Sequence, residues 1–200
     1  MKKLLFICLL ASACFTSQAQ SQWYYYAEEF YFVKEVPVKE FRGKNFRYEI
    51  AVKAQPSDTL SKVRVHGINV GKGREDYIHT DFNLETRVEQ DWTIYTVAGT
   101  VDENAWKLWF FTAVNGNGDF YFDDISFYIE LEPGQWKQLY LRNTSFETHG
   151  AGIFDGFYVS KRKSSTLTTK PSESVFKTGH QSLYVSSRNQ QPASLLTTSH

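Results

Sequence analysis

Hydrophobic and polar residues alternate along several short stretches of this chain. In the clearest stretch, Phe46, Tyr48, Ile50 and Val52 would lie on one face of an extended strand, with polar or charged residues between them on the other face. A hydrophobic period of two is typical of a strand that buries one side. Residues 42–45 read RGKN, a turn-forming run. The pattern therefore predicts a half-buried antiparallel strand that begins after a turn.

Five further stretches have strand character, and turn-forming residues separate several of them. They are residues 63–70, 92–98, 106–114, 120–129 and 136–141. Asn, Asp, Gly and Pro cluster in the segments between, which is the usual composition of tight turns. No stretch of ten or more residues has a convincing helical period. Short strands and frequent turns without helices predict an all-β sandwich or barrel.

Aromatic residues are the unusual part of the composition. The 200 residues include 16 Phe, 12 Tyr and 5 Trp but a single Met. Aromatic side chains favour strands, and Tyr and Trp are common on binding faces. The 22 basic residues are matched by 22 acidic ones, so the chain lacks the basic surplus that neutralises a phosphate backbone. This balance argues against a nucleic-acid partner.

The N-terminal segment has the pattern of an export signal. Lys2 and Lys3 precede an apolar run, and Ser17 and Ala19 supply small residues at the positions that signal peptidase reads. We therefore predict that residues 1–19 are a signal peptide cleaved after Ala19, and that the protein is secreted, periplasmic or on the cell surface. The apolar run is too short to span a bilayer, so no transmembrane segment is expected.

The two cysteines of the chain, Cys8 and Cys14, both lie inside this segment. The mature chain is therefore expected to have no thiol and no disulfide. Residues 10–14 read LASAC and partly match a lipobox, which leaves a lipoprotein anchored through Cys14 as the alternative. The good cleavage site after Ala19 favours the soluble exported form.

Two stretches resemble the second half of one known family. Residues 92–97 read WTIYTV and residues 118–127 read GDFYFDDISF, while residues 105–111 fit the strand between them in the family pattern. Together they resemble carbohydrate-binding modules of families four, nine and twenty-two. The resemblance covers roughly residues 36–132. It implies an antiparallel jelly-roll β-sandwich of the galactose-binding-like type.

Two later stretches resemble the opening of a module in the same family. LRNTSFE at 141–147 is similar to an opening Asn-x-x-Phe-Glu strand, and GHQSLYV at 179–185 is similar to the strand that follows. We therefore predict a jelly-roll module at 20–135 and a partial second module at 136–200, in a chain that is the N-terminal part of a longer protein. The alternatives for the later residues are a Ser/Thr-rich extension or extra strands packed on the first sandwich. An aromatic segment at 23–32 stands where the first module lacks the opening motif.

The aromatic residues of one predicted strand are candidates for sugar recognition. The C–H face of a pyranose packs on a flat ring, while its hydroxyls need polar neighbours. Leu108 and Phe110 form the natural core pair of the strand, which puts Trp109 and Phe111 on the opposite face. The predicted ligand-binding residues are Trp109 and Phe111, with Tyr95 and Tyr121 in support. The alternative is that a second layer covers this face and the rings serve packing alone.

Asp123 and Asp124 are adjacent on a predicted strand. Unless a bulge intervenes they point to opposite faces, so they cannot form the facing carboxylate pair of a glycoside hydrolase. In the resembling family an acid of this pair helps to bind a structural calcium ion, for which oxygen ligands are suited. The resemblance thus implies calcium at Asp123 and Asp124, with Glu28 or Glu29 as a substitute ligand and Glu147 in the same role for a second module. The alternative is that the acids are merely solvated near a turn.

Catalytic motifs are absent from the sequence. It has no His-Glu-x-x-His zinc motif, no Gly-x-Ser-x-Gly nucleophile elbow and no Gly-x-x-x-x-Gly-Lys phosphate loop. We therefore predict no enzyme but a noncatalytic carbohydrate-binding module of an exported bacterial protein, with a polysaccharide or glycan as its partner. One alternative is a structural N-terminal domain of a secreted peptidase or esterase, followed by a catalytic domain. The other is a surface adhesion or assembly protein.

Overall fold

A computed structural model describes residues 30–59, 61–73, 76–78, 81–147, 152–160 and 167–188. The predicted signal peptide, residues 1–19, lies outside these ranges. The strands within them are β1 (Phe30–Pro37), β2 (Asn45–Pro56), β3 (Lys62–Val70), β4 (Tyr77–Ile78), β5 (Asn83–Glu89), β6 (Trp92–Thr100), β7 (Lys107–Asn115), β8 (Gly118–Glu132), β9 (Gln135–Gln138), β10 (Tyr158–Val159), β11 (Leu167–Ser172) and β12 (Ser182–Ser187). One 3-10 turn, Lys39–Phe41, follows β1.

The strands form two antiparallel sheets that pack face to face. The first sheet has the order β10-β1-β7-β3-β4. The second has the order β11-β12-β8-β2-β6-β5, and β9 pairs with β8 beside it. This arrangement confirms the predicted all-β sandwich of antiparallel, jelly-roll type. Among the described residues, no helix has the length and apolar content needed to cross a membrane.

The core lies between the sheets and follows the alternation of the sequence. Phe46, Tyr48 and Ile50 on β2 are fully buried, as are Leu108 and Phe110 on β7. The rings of Tyr48 and Phe110 stack across the gap at 4.0 Å between centroids and 2° between planes. Burial of a large apolar side chain contributes about 1.5–3 kcal/mol to folding. Facing apolar stripes of this kind bring the two sheets together.

The later part of the chain adds strands to the same two sheets. Tyr158 and Val159 of β10 pair with β1 at the edge of the first sheet, and β12 pairs with β8 in the second. Phe146 is fully buried and contacts Phe32 edge-on at 6.0 Å. The described part of residues 136–200 therefore packs on the first sandwich as extra strands, which is one of the alternatives given for this segment.

A β-bulge interrupts β8 beside β2. Glu49 pairs with Ser126, but Ala51 pairs with Asp123, so β8 has one extra residue at this point. Asp124 takes up the irregularity with a φ of 47°. Bulges redirect side chains and bend the strand. The adjacent acids consequently do not alternate as they would on a regular strand.

Candidate functional site

The outer face of the first sheet carries two of the predicted site residues. Leu108 and Phe110 of β7 point into the core, and Trp109 and Phe111 point away from it, each partly exposed. β7 is the central strand of this sheet, with β1 on one side and β3 on the other. The period of two therefore places both rings in the middle of an outward-facing sheet surface.

Four more rings join Trp109 and Phe111 on this surface. We call the six residues the aromatic face: Tyr31, His66, Tyr77, Trp109, Phe111 and Tyr158. Trp109 lies 5.9 Å from Tyr77, 6.1 Å from Phe111 and 6.2 Å from Tyr158, measured between ring centroids. Phe111 also contacts Tyr31 at 6.0 Å. Strand pairing produces this proximity, since residues opposite one another on adjacent strands lie on the same side of a sheet.

Trp109 is held in a defined orientation by a charged pair. Its indole Nε1 donates a hydrogen bond of 2.7 Å to Glu35 Oε2, and Glu35 lies directly opposite it on β1. Lys107 Nζ lies 2.9 Å from the same carboxylate oxygen and 5.1 Å from the centroid of the Trp109 ring. The ring edge is thus fixed by a carboxylate while the indole remains part of the aromatic face.

His66 is stacked flat on Phe111. The two rings are 4.8 Å apart and 4° from parallel. Burial and, as the smaller cause, the nearby positive charge of Arg64 together lower the pKa of His66 from 6.5 to about 4. The imidazole is therefore neutral at pH 7 and behaves as another flat ring of the aromatic face.

The tyrosines at the margins of the aromatic face are open to solvent. Tyr31, Tyr77 and Tyr158 are 38%, 55% and 54% exposed. Within the described residues, none of their hydroxyls forms a hydrogen bond with the protein. Flat rings bordered by free hydroxyls and by the Glu35 carboxylate form a surface that can contact a ligand through both apolar and polar groups.

Tyr95 does not lie on the aromatic face. It is on β6 in the second sheet, opposite Ile50, and packs against the core from the inner side. The expectation that it stands next to Trp109 and Phe111 is corrected by this position. The reason is that both faces of β6 are apolar. Trp92 and Ile94 point outward and form a small buried cluster with Ala51. Alternation alone therefore does not decide which face of β6 is turned toward the core between the sheets.

Tyr121 lies outside the aromatic face as well. It is on the outer side of the second sheet, where it contacts Tyr184 at 5.1 Å between ring centroids. An open cleft of about 500 Å³ is lined by this pair together with Lys170, Ser172 and Glu173. The two predicted supporting tyrosines are thus on different surfaces from Trp109, and the structure brings only Trp109 and Phe111 together.

Asp123 and Asp124 hold the loop that precedes β12. Asp123 is completely buried and accepts backbone hydrogen bonds from Asp124 N at 2.8 Å, Lys177 N at 2.7 Å and Thr178 N at 3.1 Å. Asp124 accepts a bond from the Thr178 hydroxyl and pairs with Lys177 Nζ at 3.3 Å. Burial raises the pKa of Asp123 to about 6, although its three backbone bonds oppose that rise.

The same loop is held from the other side by Glu147. Its Oε1 accepts bonds from His180 N at 2.7 Å and Gln181 N at 3.0 Å. Gly179 has a φ of 70°, and a Cβ there would meet Glu147 Oε1 at 2.2 Å. We call Asp123, Asp124 and Glu147 the loop clasp. The carboxylates of these three acids accept hydrogen bonds from protein N–H and O–H groups. They are therefore not the solvated acids near a turn that the sequence left as an alternative.

The loop clasp does not have the form of a calcium site. The Asp123 oxygens are occupied by N–H donors, and the Lys177 ammonium supplies the positive charge beside Asp124. Among the described residues, no group of three or more His, Cys, Asp or Glu side chains is arranged to hold a metal ion. The substitute ligands Glu28 and Glu29 lie outside the described residues. Calcium at these acids therefore stays a prediction of the resemblance.

Several rings of the aromatic face, and the Glu35 carboxylate beside them, were not predicted from the sequence. Tyr31 and Glu35 come from β1, and Tyr158 comes from the far end of the chain. Their contact with Trp109 depends on which strands pair, and no local pattern reports that pairing. The one available signal was the spacing of Tyr31 and Glu35, which have the same parity on β1 and are separated from the buried Phe32 and Lys34 by the alternation of the strand.

Comparison of the chain with models of known families, with curated proteins and with solved structures gave no match.

Proposed function

We propose that this chain is a noncatalytic carbohydrate-binding module of an exported protein, and that the aromatic face is its binding surface. One observation supports this most strongly: six flat rings share one outward-facing sheet surface around Trp109. Monomeric proteins seldom leave so many contiguous aromatic side chains on one surface without a partner. The export signal and the family resemblance in the sequence support the same assignment.

The chemistry of the aromatic face suits a polysaccharide. The C–H face of a sugar ring would pack on the indole of Trp109, which is already oriented by Glu35. Sugar hydroxyls would bind the Glu35 carboxylate and the free hydroxyls of Tyr77 and Tyr158. A broad sheet surface can accommodate several units of a long chain, so a polymer is a better fit than a single small sugar.

The alternative function is adhesion, in which a strand of another chain would pair with an exposed sheet edge. The sheet edges give this alternative less support. Both edge strands of the first sheet, β4 and β10, have two residues each in the part of the chain that the structure describes. At the two edges of the second sheet, β5 carries the charged residues Glu85, Arg87 and Glu89, and β11 carries a lysine and a proline, Lys170 and Pro171. Short and charged edges disfavour pairing with another chain. A partner that binds the sheet surface is therefore preferred to one that extends a sheet.

Affinity electrophoresis tests the proposal. The purified protein is run through native gels that contain different neutral and acidic polysaccharides, beside Trp109→Ala and the control Trp136→Ala. Trp136 is a partly exposed tryptophan on β9, away from the aromatic face. We expect at least one polysaccharide to retard the wild type and Trp136→Ala but not Trp109→Ala. No retardation by any polysaccharide, or equal retardation of all three proteins, would overturn the proposal.

A further inference from the structure

Three cations converge on one indole at the end of the sandwich. Lys39 Nζ lies 4.4 Å from the centroid of the Trp106 ring, Lys72 Nζ lies 5.5 Å from it, and Arg42 Cζ lies 5.7 Å from it. The three cations come from two segments: Lys39 and Arg42 from the turn after β1, and Lys72 from the loop after β3. We call Trp106 with Lys39, Arg42 and Lys72 the cationic cluster.

The backbone fixes the position of this cluster. Trp106 N donates a hydrogen bond of 2.9 Å to Val70 O, and Trp106 O accepts one of 3.0 Å from Val38 N. Arg42 Nε donates at 2.7 Å to Ala105 O, the residue before the tryptophan. The segments that carry the three cations are thus bonded to the strand end that carries Trp106. Folding of the sandwich alone brings the cations together.

Among the described residues, the cations of the cluster have carboxylates in neighbouring segments, Asp76 and Glu103, but form no ion pair with them. Nor does any other carboxylate of the described residues form an ion pair with Lys39, Arg42 or Lys72. Asp102, in the adjacent loop, accepts a hydrogen bond from Asn104 N instead. Like charges held near one another repel, and an indole face compensates only part of that cost. Such an arrangement is typical of a site that receives an anionic group.

The cluster lies at the end of the strand that carries the central ring of the aromatic face. Trp106 immediately precedes β7, and Trp109 lies three residues further along the chain, which is about 10 Å at the usual rise of a strand. Lys107, between them, already lies over the Trp109 ring. A polymer bound along β7 would therefore extend from the aromatic face to the cluster.

We propose that the cationic cluster binds the anionic groups of an acidic polysaccharide, either carboxylates or sulfate esters. This inference rests on the proposed function and adds the class of ligand. Trp106 would pack against a sugar ring, and Lys39, Arg42 and Lys72 would pair with the acidic group that the ring carries. Arg42 keeps its two terminal nitrogens free of protein partners among the described residues, which suits bidentate binding of either anion.

Matched pairs of polysaccharides test this inference by affinity electrophoresis. Polygalacturonate is compared with its methyl-esterified form, and chondroitin sulfate with its desulfated form, so that each pair differs mainly in charge. The proteins are the wild type, the double variant Lys39→Gln/Lys72→Gln, and the control Lys62→Gln/Lys137→Gln. The control loses the same charge from two exposed lysines, one of which, Lys62, is at the opposite end of β3.

We expect the wild type to bind one acidic form more tightly than its uncharged counterpart, and we expect Lys39→Gln/Lys72→Gln to weaken that binding by about tenfold. The control should keep the preference, which should weaken as salt is raised. Equal binding of charged and uncharged forms, or equal losses in the two double variants, would overturn the inference.

A parallel run of Trp109→Ala separates this inference from the proposed function. If acidic polysaccharides bind through Lys39 and Lys72 but Trp109→Ala binds them as the wild type does, the cationic cluster stands and the aromatic face is wrong. If uncharged polysaccharides bind through Trp109 without preference for acidic ones, the aromatic face stands and the inference fails. Absence of binding to every polysaccharide would overturn both.

Discussion

Glu35 and Trp109 face each other across β1 and β7, and the Glu35 carboxylate accepts the indole hydrogen bond at 2.7 Å. The same carboxylate oxygen pairs with Lys107 at 2.9 Å. One acid therefore orients the central ring of the aromatic face and neutralises the cation beside it. Preorganised rings bind at a lower entropic cost than freely rotating ones.

Substitution of Glu35 should weaken glycan binding by releasing the Trp109 indole. We expect Glu35→Ala to reduce the affinity about fivefold, which corresponds to about 1 kcal/mol. Glu35→Gln should lose less, because its amide oxygen still accepts from the indole nitrogen. Dissociation constants from titration calorimetry check this order. Equal affinities for the wild type and Glu35→Ala would contradict the orienting role.

Ionisation of His66 should make the fold less stable in acid. Its pKa is about 4 in the folded protein and 6.5 as the ordinary value, so the unfolded chain binds a proton more readily. The stabilisation is present above pH 6.5 and is lost as the pH falls through 4. His66→Phe keeps a flat ring against Phe111, and its stability should decline less between pH 6.5 and 4. Urea unfolding at several pH values measures this, and parallel curves would contradict it.

Asp123 should have the opposite effect in an overlapping range of pH. Burial raises its pKa from 3.8 to about 6 in the folded protein. The folded state then binds the proton more tightly, so this group stabilises the fold below about pH 4 and the effect is lost as the pH rises through 6. In Asp123→Asn, stability should rise more steeply from pH 4 to 6 than in the wild type. A slope equal to that of the wild type would show that Asp123 does not titrate in this range.

The loop clasp should stabilise the whole sandwich. Glu147→Ala leaves the backbone N–H groups of His180 and Gln181 without their acceptor. We expect a loss of about 1–3 kcal/mol in the free energy of unfolding, measured by urea denaturation. Glu132→Ala, at an exposed site at the end of β8, is the control and should change little. Equal losses in both variants would contradict the clasp.

Calcium dependence distinguishes the two accounts of these acids. Because the clasp oxygens bind N–H and O–H groups and Lys177, we expect the melting temperature of the protein to be the same with added calcium and with a chelator. A rise with calcium that disappears in Asp123→Asn would instead favour the calcium site implied by the resemblance.

The sequence predicted the strands that have one buried face and one exposed face. Leu108 and Phe110 alternate with Trp109 and Phe111, so the outward direction of the two rings followed from the period of two. β5 was not predicted, because nearly all its residues are exposed and only Leu84 and Val88 among its seven residues are apolar. For such a strand, pairing with β6 rather than local composition decides the structure.

The composition of the aromatic face depends on pairing between distant segments. Tyr158 reaches Trp109 only because β10 pairs with β1 and β1 pairs with β7. Tyr121 was predicted to support the same site, and its alternation with Phe120 does indicate an outward side chain. Which sheet it belongs to depends on strand order, and no local feature of the sequence reports strand order.

Titration calorimetry of Trp109→Ala and Tyr121→Ala is the most direct test of the aromatic face as the binding surface. The ligand is the polysaccharide that retards the wild type most strongly, and the two rings lie on outer faces of different sheets. We predict that Trp109→Ala loses at least about tenfold in affinity, or about 1.4 kcal/mol, while Tyr121→Ala binds as the wild type does. Loss of binding in Tyr121→Ala with full affinity in Trp109→Ala would contradict the account and move the site to the second sheet.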